Sequence, residues 1–328
     1  CRLIDRSVRS LFPEHYKNEV QIQVQVLSCE PTSDLESLAL LAACCALHIS
    51  PVPANGPIAG LRIWRIDDSW HAFVGRDKAE AADIEFTVAV GPNGLVMLEG
   101  GAKECNEADA IAAIGQATEW IARCHKAFDE LAASTGRAKV PAPAEPELPD
   151  VPSAAREQLK QALTIKIKAE RRAAIAAAES SWLEALPDDA RAAAKQAYSD
   201  AVWEEMRENV LATESRLDGR SKTEIRPIWS EVGLLPRAHG SSLFTRGETQ
   251  AIVTCTLGSP DDALRPGNLA DDTNKHSFFL HYNFPPYSVG ETRPLRGPGR
   301  REIGHGALAR RGLTPLVPVG SKYPFTIR

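Results

Sequence analysis

Residues 278–312 read FFLHYNFPPYSVGETRPLRGPGRREIGHGALARRG, and the reading of the rest of the chain follows from them. The first seven, Phe278 to Phe284, are apolar or aromatic except for Asn283. They predict a buried strand that runs into a turn at Pro285-Pro286. Glycines follow at Gly290, Gly297, Gly299, Gly304 and Gly306, where the backbone can turn sharply or let another group approach closely. Six arginines, Arg293, Arg296, Arg300, Arg301, Arg310 and Arg311, are opposed only by Glu291 and Glu302. A guanidinium is a planar fork of donors that matches phosphate oxygens in pairs. A glycine- and arginine-rich loop leaving a buried strand therefore reads as an anion or phosphodiester site, and the alternative is a basic loop that faces water.

The totals bound the answer. A chain of 328 residues exceeds one ordinary core and predicts two or three domains. Its 43% hydrophobic and 25% charged residues are those of a globular protein. No stretch approaches the roughly 20 apolar residues that span a bilayer. The opening residues, CRLIDRSVRSLFPEH, hold no apolar signal-peptide core, and they begin in mid-pattern without Met, which reads as a truncated chain. Seven cysteines, an odd number without a CxxC pair, predict reduced, buried thiols and a cytoplasmic protein rather than disulfides or a zinc site. The net charge of −5 is uneven: residues 219–328 hold 15 basic against 9 acidic side chains, and residues 1–218 hold 23 against 34. Any nucleic-acid contact must therefore be local, in the basic last third.

Along the chain, Glu19–Ser28 alternates strictly, with Val20, Ile22, Val24 and Val26 on one face, and predicts a half-buried strand. Ser33 and Glu36 form a capping box that opens a buried helix over 34–48, with His48 at its end as a capped or core histidine. Strands are expected at Leu61–Ile66, His71–Val74, Asp83–Val90 and Gly94–Glu99, the last two joined by a turn at Gly91-Pro92-Asn93-Gly94. A helix capped by Asn106 covers 106–133. Residues 137–152, with five prolines, read as an extended linker. Residues 153–215 are rich in helix formers and predict two helices, about 153–185 and 188–214, split at Pro187-Asp188-Asp189. A further strand is expected at Gln250–Leu257, with turns at Gly240–Ser242 and Arg246–Thr249.

These segments carry a resemblance. HYNFPPYSVGE (281–291) followed by GRREIGHGALARRG (299–312) resembles the second ribonuclease PH-like core of the polynucleotide phosphorylase family. RLDGR (216–220) with RPIWSEVGLLPRAHGSSLFTRGETQAIVTCTLG (226–258) resembles the opening of that core. RLIDRSVRSLFPEHYKNEVQIQVQVLS (2–28) resembles the middle of the first core, and ANGPIAGLRI (54–63) its NGPI turn. The resemblance implies an α+β protein with ribonuclease PH-like cores of the ribosomal protein S5 domain 2-like kind and an all-α linking domain. It divides the chain into the latter part of core one (1–136), the Pro-rich linker (137–152), the linking domain (153–215) and the first part of core two (216–328).

It also implies an activity: a Mg2+-dependent 3′-to-5′ phosphorolytic exoribonuclease acting in RNA degradation and processing. Such an enzyme cleaves with inorganic phosphate, releases nucleoside diphosphates and runs in reverse as a nucleotidyltransferase. The implied partners are single-stranded RNA, two further copies in a ring-shaped homotrimer, and proteins of an RNA-degradation complex. Arg300 and Arg301 match arginines that the family uses at its active site, and are the expected catalytic residues. Arg220, Arg246, His305, Arg311, Arg2, Arg6, Arg9 and Arg62 are the expected substrate-binding residues. No metal ligand is assigned in this chain: in the family the metal-binding aspartates follow the strand expected at Tyr323–Arg328, so the Mg2+ ligands are expected beyond Arg328 and the chain alone is expected to be inactive. Two departures from the pattern are NLADDTNKHSFF (268–279), where a more basic run is expected, and Ala307 in place of a common arginine. The rival readings are a non-catalytic RNA-binding or scaffold protein and an enzyme acting on a small phosphate ester.

Overall fold

The computed structural model describes residues 1–30, 32–265, 275–318 and 323–328. They form two units, residues 1–143 with 255–328, and residues 144–254.

The first unit opens with helix α1 (Arg2–Val8), prolonged by a 3-10 turn at Arg9–Leu11, and helix α2 (Leu35–Ile49). Strands β1 (Ala59–Ile66) and β2 (Ser69–Ala72), the single turn α3 (Arg76–Ala79), strands β3 (Ile84–Gly91) and β4 (Gly94–Ala102), and the long helix α4 (Glu107–Thr135) follow. The sheet is antiparallel in the order β2-β1-β3-β4, with Leu61 opposite Val88 and Val88 opposite Leu98. Alternate residues serve alternate faces. Ala59, Leu61, Ile63, Val88 and Val90 pack under Ala117 and Ile121 of α4. Ala89 and Met97 pack with Val8, Leu11, Leu40, Cys44 and Leu47 from α1 and α2. Gly60 seats α2, since a Cβ there would lie 2.6 Å from Leu40 Cδ2. Arg65 clamps the layers: its Nη2 donates to Asp83 Oδ2 at 2.6 Å, ahead of β3, and its Nη1 to Asp109 Oδ1 at 2.8 Å, in the first turn of α4.

All four predicted strands and the Asn106-capped helix form, each within a few residues of its expected ends. Two local expectations are corrected. The N-cap of α2 is Asp34 rather than Ser33: Asp34 Oδ1 accepts from Ser37 N–H, and Ser37 Oγ in turn accepts the Arg62 N–H at 2.8 Å, which ties the helix start to β1. Residues 19–28 do not form a strand. Their alternation does turn Ile22 toward the α1/α2 cluster, but a strand also needs a row of backbone partners, and no described residue supplies one. Val20, Val24 and Val26 stay 36–40% exposed. His48 is a tethered histidine, its Nε2 3.0 Å from Asp129 Oδ1 on α4. All seven cysteines are free, but only Cys44 is buried, where the apolar surroundings push its thiol up to about 12; Cys1 is exposed, contrary to the expectation of buried thiols.

The start of the Pro-rich stretch lies along the first unit, with Val140 N–H donating to Pro51 O and Lys139 Nζ to Leu47 O. The second unit holds helices α5 (Ser153–Leu163), α6 (Lys168–Glu184) and α7 (Arg191–Thr213) around Leu159, Leu163, Ala178, Tyr198 and Ala201. It also holds a sheet of β5 (Ile228–Val232), β6 (Gly240–Arg246) and β7 (Thr249–Cys255) in that order. Gly240–Ser242, expected as a turn, belongs to β6 and pairs Ser242 with Val232. Three helices stand where two were expected, because the chain breaks at Thr164–Ile167 without a proline or glycine. The break is held by Arg171, whose Nη1 donates to the carbonyls of Ile165 (2.8 Å), Lys166 (2.9 Å) and Leu217 (3.3 Å). The first two are carbonyls that a continuous helix would have satisfied itself.

The chain then returns to the first unit with β8 (Leu257–Gly258), α8 (Arg300–Leu313) and β9 (Thr326–Ile327). The expected buried strand at 278–284 is instead an extended, half-exposed run with a bridge from Phe278 to Ile327, since β9 offers only two strand residues to pair with. Residues 300–313, expected as a loop, are helical despite glycines at 304, 306 and 312. The departure expected at 268–279 lies mainly outside the described residues. Among the described residues no helix is long and apolar enough to cross a membrane.

Replacing Arg171 with Met keeps the aliphatic stem and strands the carbonyls at the α5–α6 break. A loss of about 1–3 kcal/mol in urea unfolding is expected; unchanged stability would show that water satisfies those carbonyls equally well.

Candidate nucleic-acid interface

The start of α8 is built by one carboxylate. Glu302 reaches back so that its Oε2 accepts the Gly299 N–H at 2.5 Å and its Oε1 accepts the Phe284 N–H at 2.7 Å. The helix is thus capped and the aromatic run 278–284 is pinned against it. The two amides, Gly299 first and then Phe284, hold the Glu302 carboxyl below the ordinary glutamate range. Arg300 and Arg301 occupy the first turn, both exposed, and among the described residues neither takes part in an ion pair. A helix start carries unsatisfied amides and the positive end of the backbone dipole. Two guanidiniums there, against the one carboxylate of Glu302, leave a positive balance that favours an anion.

The two sides of α8 meet different partners. Gly306 faces the aromatic run, where a Cβ would lie 3.3 Å from Leu280 O, and the His305 ring stands edge-on to Tyr282 at 5.4 Å. Arg300, Gly304 and Arg311 share a second stripe, at 100° per residue. There Gly304 lies against α1, a Cβ on it falling 3.1 Å from Arg2 Cγ, and Arg311 lies over β4, 3.4 Å from where a Gly101 Cβ would stand. Glu99 of β4 accepts from Arg6 Nη1 at 2.6 Å and lies 3.8 Å from Arg311 Nη1. Asp5 takes Arg2 at 3.1 Å and Arg9 at 2.5 Å.

The structure therefore gathers Arg2, Arg6, Arg9 and Arg311 with α8, the helix that carries Arg300, Arg301 and His305, although the α1 and α8 residues lie some 300 positions apart. The other three expected contacts lie elsewhere. Arg62 is in β1, 17% exposed, paired with Glu36 and Glu85 and lying over the Trp64 ring. Arg220 folds into its own turn in the second unit, donating to Asp218 Oδ2 at 2.9 Å and to Glu224 O at 2.8 Å. Arg246 ends β6 in an exposed position. Sequence reasoning missed Glu99 and Asp5, which hold the arginines in place; a glutamate in a strand 93 residues from its partner Arg6 carries no sequence signal. Among the described residues no group of three or more His, Cys, Asp or Glu converges to hold a metal ion. The described residues thus do not by themselves fit a Mg2+ site.

An α+β unit carrying an arginine-lined helix start, joined to a three-helix module, is the architecture that the resemblance to a ribonuclease PH-like protein with a helical domain implies. Comparison with known proteins agrees. Residues 1–53 and 224–328 match the model of the 3′ exoribonuclease family, domain 1, and residues 148–221 match that of the polyribonucleotide nucleotidyltransferase RNA binding domain. Over its whole length the chain is 43% identical to a polyribonucleotide nucleotidyltransferase of Geotalea uraniireducens, of which it covers 48%. It is 43% identical to one of Sorangium cellulosum, covering 45%, and 39% identical to one of Persephonella marina, covering 47%. The chain belongs to the polyribonucleotide nucleotidyltransferase family, and it spans about half the length of the curated relatives it matches.

Because the folded Glu302 carboxyl lies below its ordinary value, its contribution is full above the usual glutamate pKa of about 4.3 and is lost as pH falls through the depressed value. Exchange of the Phe284 and Gly299 amides, followed by NMR and taken relative to the unfolded-chain rate at each pH, is expected to stay low down to about pH 4.3 and to rise as pH falls through the depressed Glu302 value. In Glu302→Gln that acid-dependent rise should vanish; an unchanged profile would show that Glu302 does not hold the junction.

Proposed function

We propose that this chain provides the arginine half of a 3′-to-5′ phosphorolytic exoribonuclease site. The observation that carries the reading is the pair Arg300 and Arg301, exposed and without an ion-pair partner among the described residues, at the start of α8 beside a cluster of four further arginines. Phosphorolysis brings together two anions, the terminal phosphodiester and the attacking inorganic phosphate. An oxygen of phosphate attacks the phosphorus, the bond to the 3′ oxygen of the preceding nucleotide breaks, and the last nucleotide leaves as a diphosphate. Charge accumulates on the phosphoryl oxygens, and the protein's part is to hold both anions in line and offset that charge. Arg300 and Arg301 take that catalytic role. Arg2, Arg6, Arg9, Arg311 and His305 take the RNA behind it, and Arg220, Arg246 and Arg62 are assigned further substrate contacts by family likeness. The reverse reaction, polymerising nucleoside diphosphates, uses the same groups.

The reading extends to the setting in which family likeness puts such a site: Mg2+ held by carboxylates, a homotrimer, proteins of an RNA-degradation complex and the cytoplasm. The four segments, 1–136, 137–152, 153–215 and 216–328, are taken as core one, linker, linking domain and core two. RNA binding with little turnover is the expected behaviour of the 328 residues by themselves.

Single-stranded oligoadenylate binding, titrated over a range of salt, tests the arginine pair. Replacing Arg300 and Arg301 together with Ala should weaken binding and lower the slope of log K against log salt by about 0.7 for each phosphate that the protein no longer neutralises. An unchanged slope would remove both residues from the RNA path.

A further inference from the structure

The loop that follows α1 forms an open cavity that shares only Arg9 with the arginine cluster. Leu11 is buried in the core, and its carbonyl accepts the Asn55 N–H at 2.8 Å, which fixes the base of the loop. The chain then turns at Pro13, whose carbonyl accepts the Tyr16 N–H at 3.0 Å. This turn brings the Tyr16 ring to face Phe12, the two within 14° of parallel with centroids 6.3 Å apart. Phe12, Pro13, Tyr16 and Val20, with Arg9, Glu14 and Asn18, line a space of about 340 Å³. Apolar walls with a few converging polar groups are the usual make-up of a small-ligand pocket. Arg9 stands at its edge, 75% exposed, with Asp5 as its only carboxylate partner among the described residues.

We infer that this pocket is a nucleobase subsite. Two near-parallel aromatic rings, a carboxylate, an amide and a guanidinium at the rim are the groups that a nucleotide calls for. An aromatic ring stacks on a base at van der Waals distance, about 3.5 Å, and every base presents a π-face, so the subsite tolerates different sequences. Glu14 and Asn18 offer an acceptor and a mixed amide to the edge of the base. The guanidinium of Arg9 takes the adjoining phosphate. The ligand class is a nucleotide of single-stranded RNA. The inference rests on the proposed RNA-binding function and adds to it a contact to the base, which the arginines on α1 and α8 do not make.

The test compares oligoadenylate with an abasic strand of the same length, on the full chain and on Tyr16→Leu and Tyr16→Phe. Leu keeps an apolar bulk of comparable size and removes the π-face; Phe restores it. Tyr16→Leu should weaken oligoadenylate about 5- to 100-fold, leave the abasic strand unchanged, and be rescued in Tyr16→Phe. Saturation-transfer NMR with AMP should show adenine protons against the Phe12 and Tyr16 rings. If wild type binds oligoadenylate and Tyr16→Leu binds it equally well, or weakens the abasic strand to the same extent, the base subsite is overturned and the RNA reading stands. If AMP contacts the rings but no oligonucleotide binds, the RNA reading falls and the pocket remains a nucleotide site. If AMP makes no contact with the rings, the subsite falls.

Discussion

Glu99 carries the junction on which the site depends. Its side chain is 19% exposed, near the end of β4, and it serves Arg6 from α1 and Arg311 from α8. Helices from the two ends of the chain thereby close on the same edge of the sheet. Without a carboxylate there, two guanidiniums would lie near each other and near Arg2 with little to offset their repulsion. A half-exposed pair contributes little stability by itself. Its value here is geometric, because it sets which face of α8 turns inward and so leaves Arg301 and the helix start open.

The glycines follow from that packing. In a helix interior each glycine costs about 1 kcal/mol relative to alanine, and α8 contains three. Gly304 lets the backbone approach Arg2, and Gly306 lets it approach the carbonyl of Leu280. The helix is therefore narrow on two sides, held between α1 on one and the aromatic run on the other. Glu302 adds the third constraint by bonding the amides on either side of the Pro-rich turn. The phosphoryl chemistry proposed for this site would draw on such rigid placement, since positioning and electrostatics supply most of the catalysis in reactions of that class.

The arginines divide into those with partners and those without. Arg62, Arg65 and Arg220 already hold carboxylate or carbonyl partners within the chain, so a substrate contact by Arg62 or Arg220 would have to share or exchange those partners. Arg65 is the clearest structural case: it holds Asp83 and Asp109, and its hydrogen bond keeps the Asp83 carboxyl below the ordinary range. Nothing in the sequence separates it from the arginines assigned to RNA. Arg300 and Arg301 keep their charge unmatched among the described residues, and that surplus makes α8 an anion-seeking surface in a chain of net charge −5.

The sequence alone determined the elements whose signals are local. The strands β1 to β4, the Asn106 cap and the hairpin at Asn93-Gly94 are written in periodicity and turn chemistry, which act over a few residues. It also carried the family likeness, through long motifs at 2–28, 216–258 and 278–312. Tertiary structure decided whatever depends on a partner far along the chain. Among the described residues, the alternating run 19–28 has every mark of a strand except a neighbour to bond with. The apolar run 278–284 lies along α8 instead of entering a sheet, and the carbonyls freed by the break at Thr164–Ile167 find a partner in Arg171. Which arginines stay free was settled by Asp5, Glu36, Asp83, Glu99 and Asp218, since neutralisation depends on distances in space.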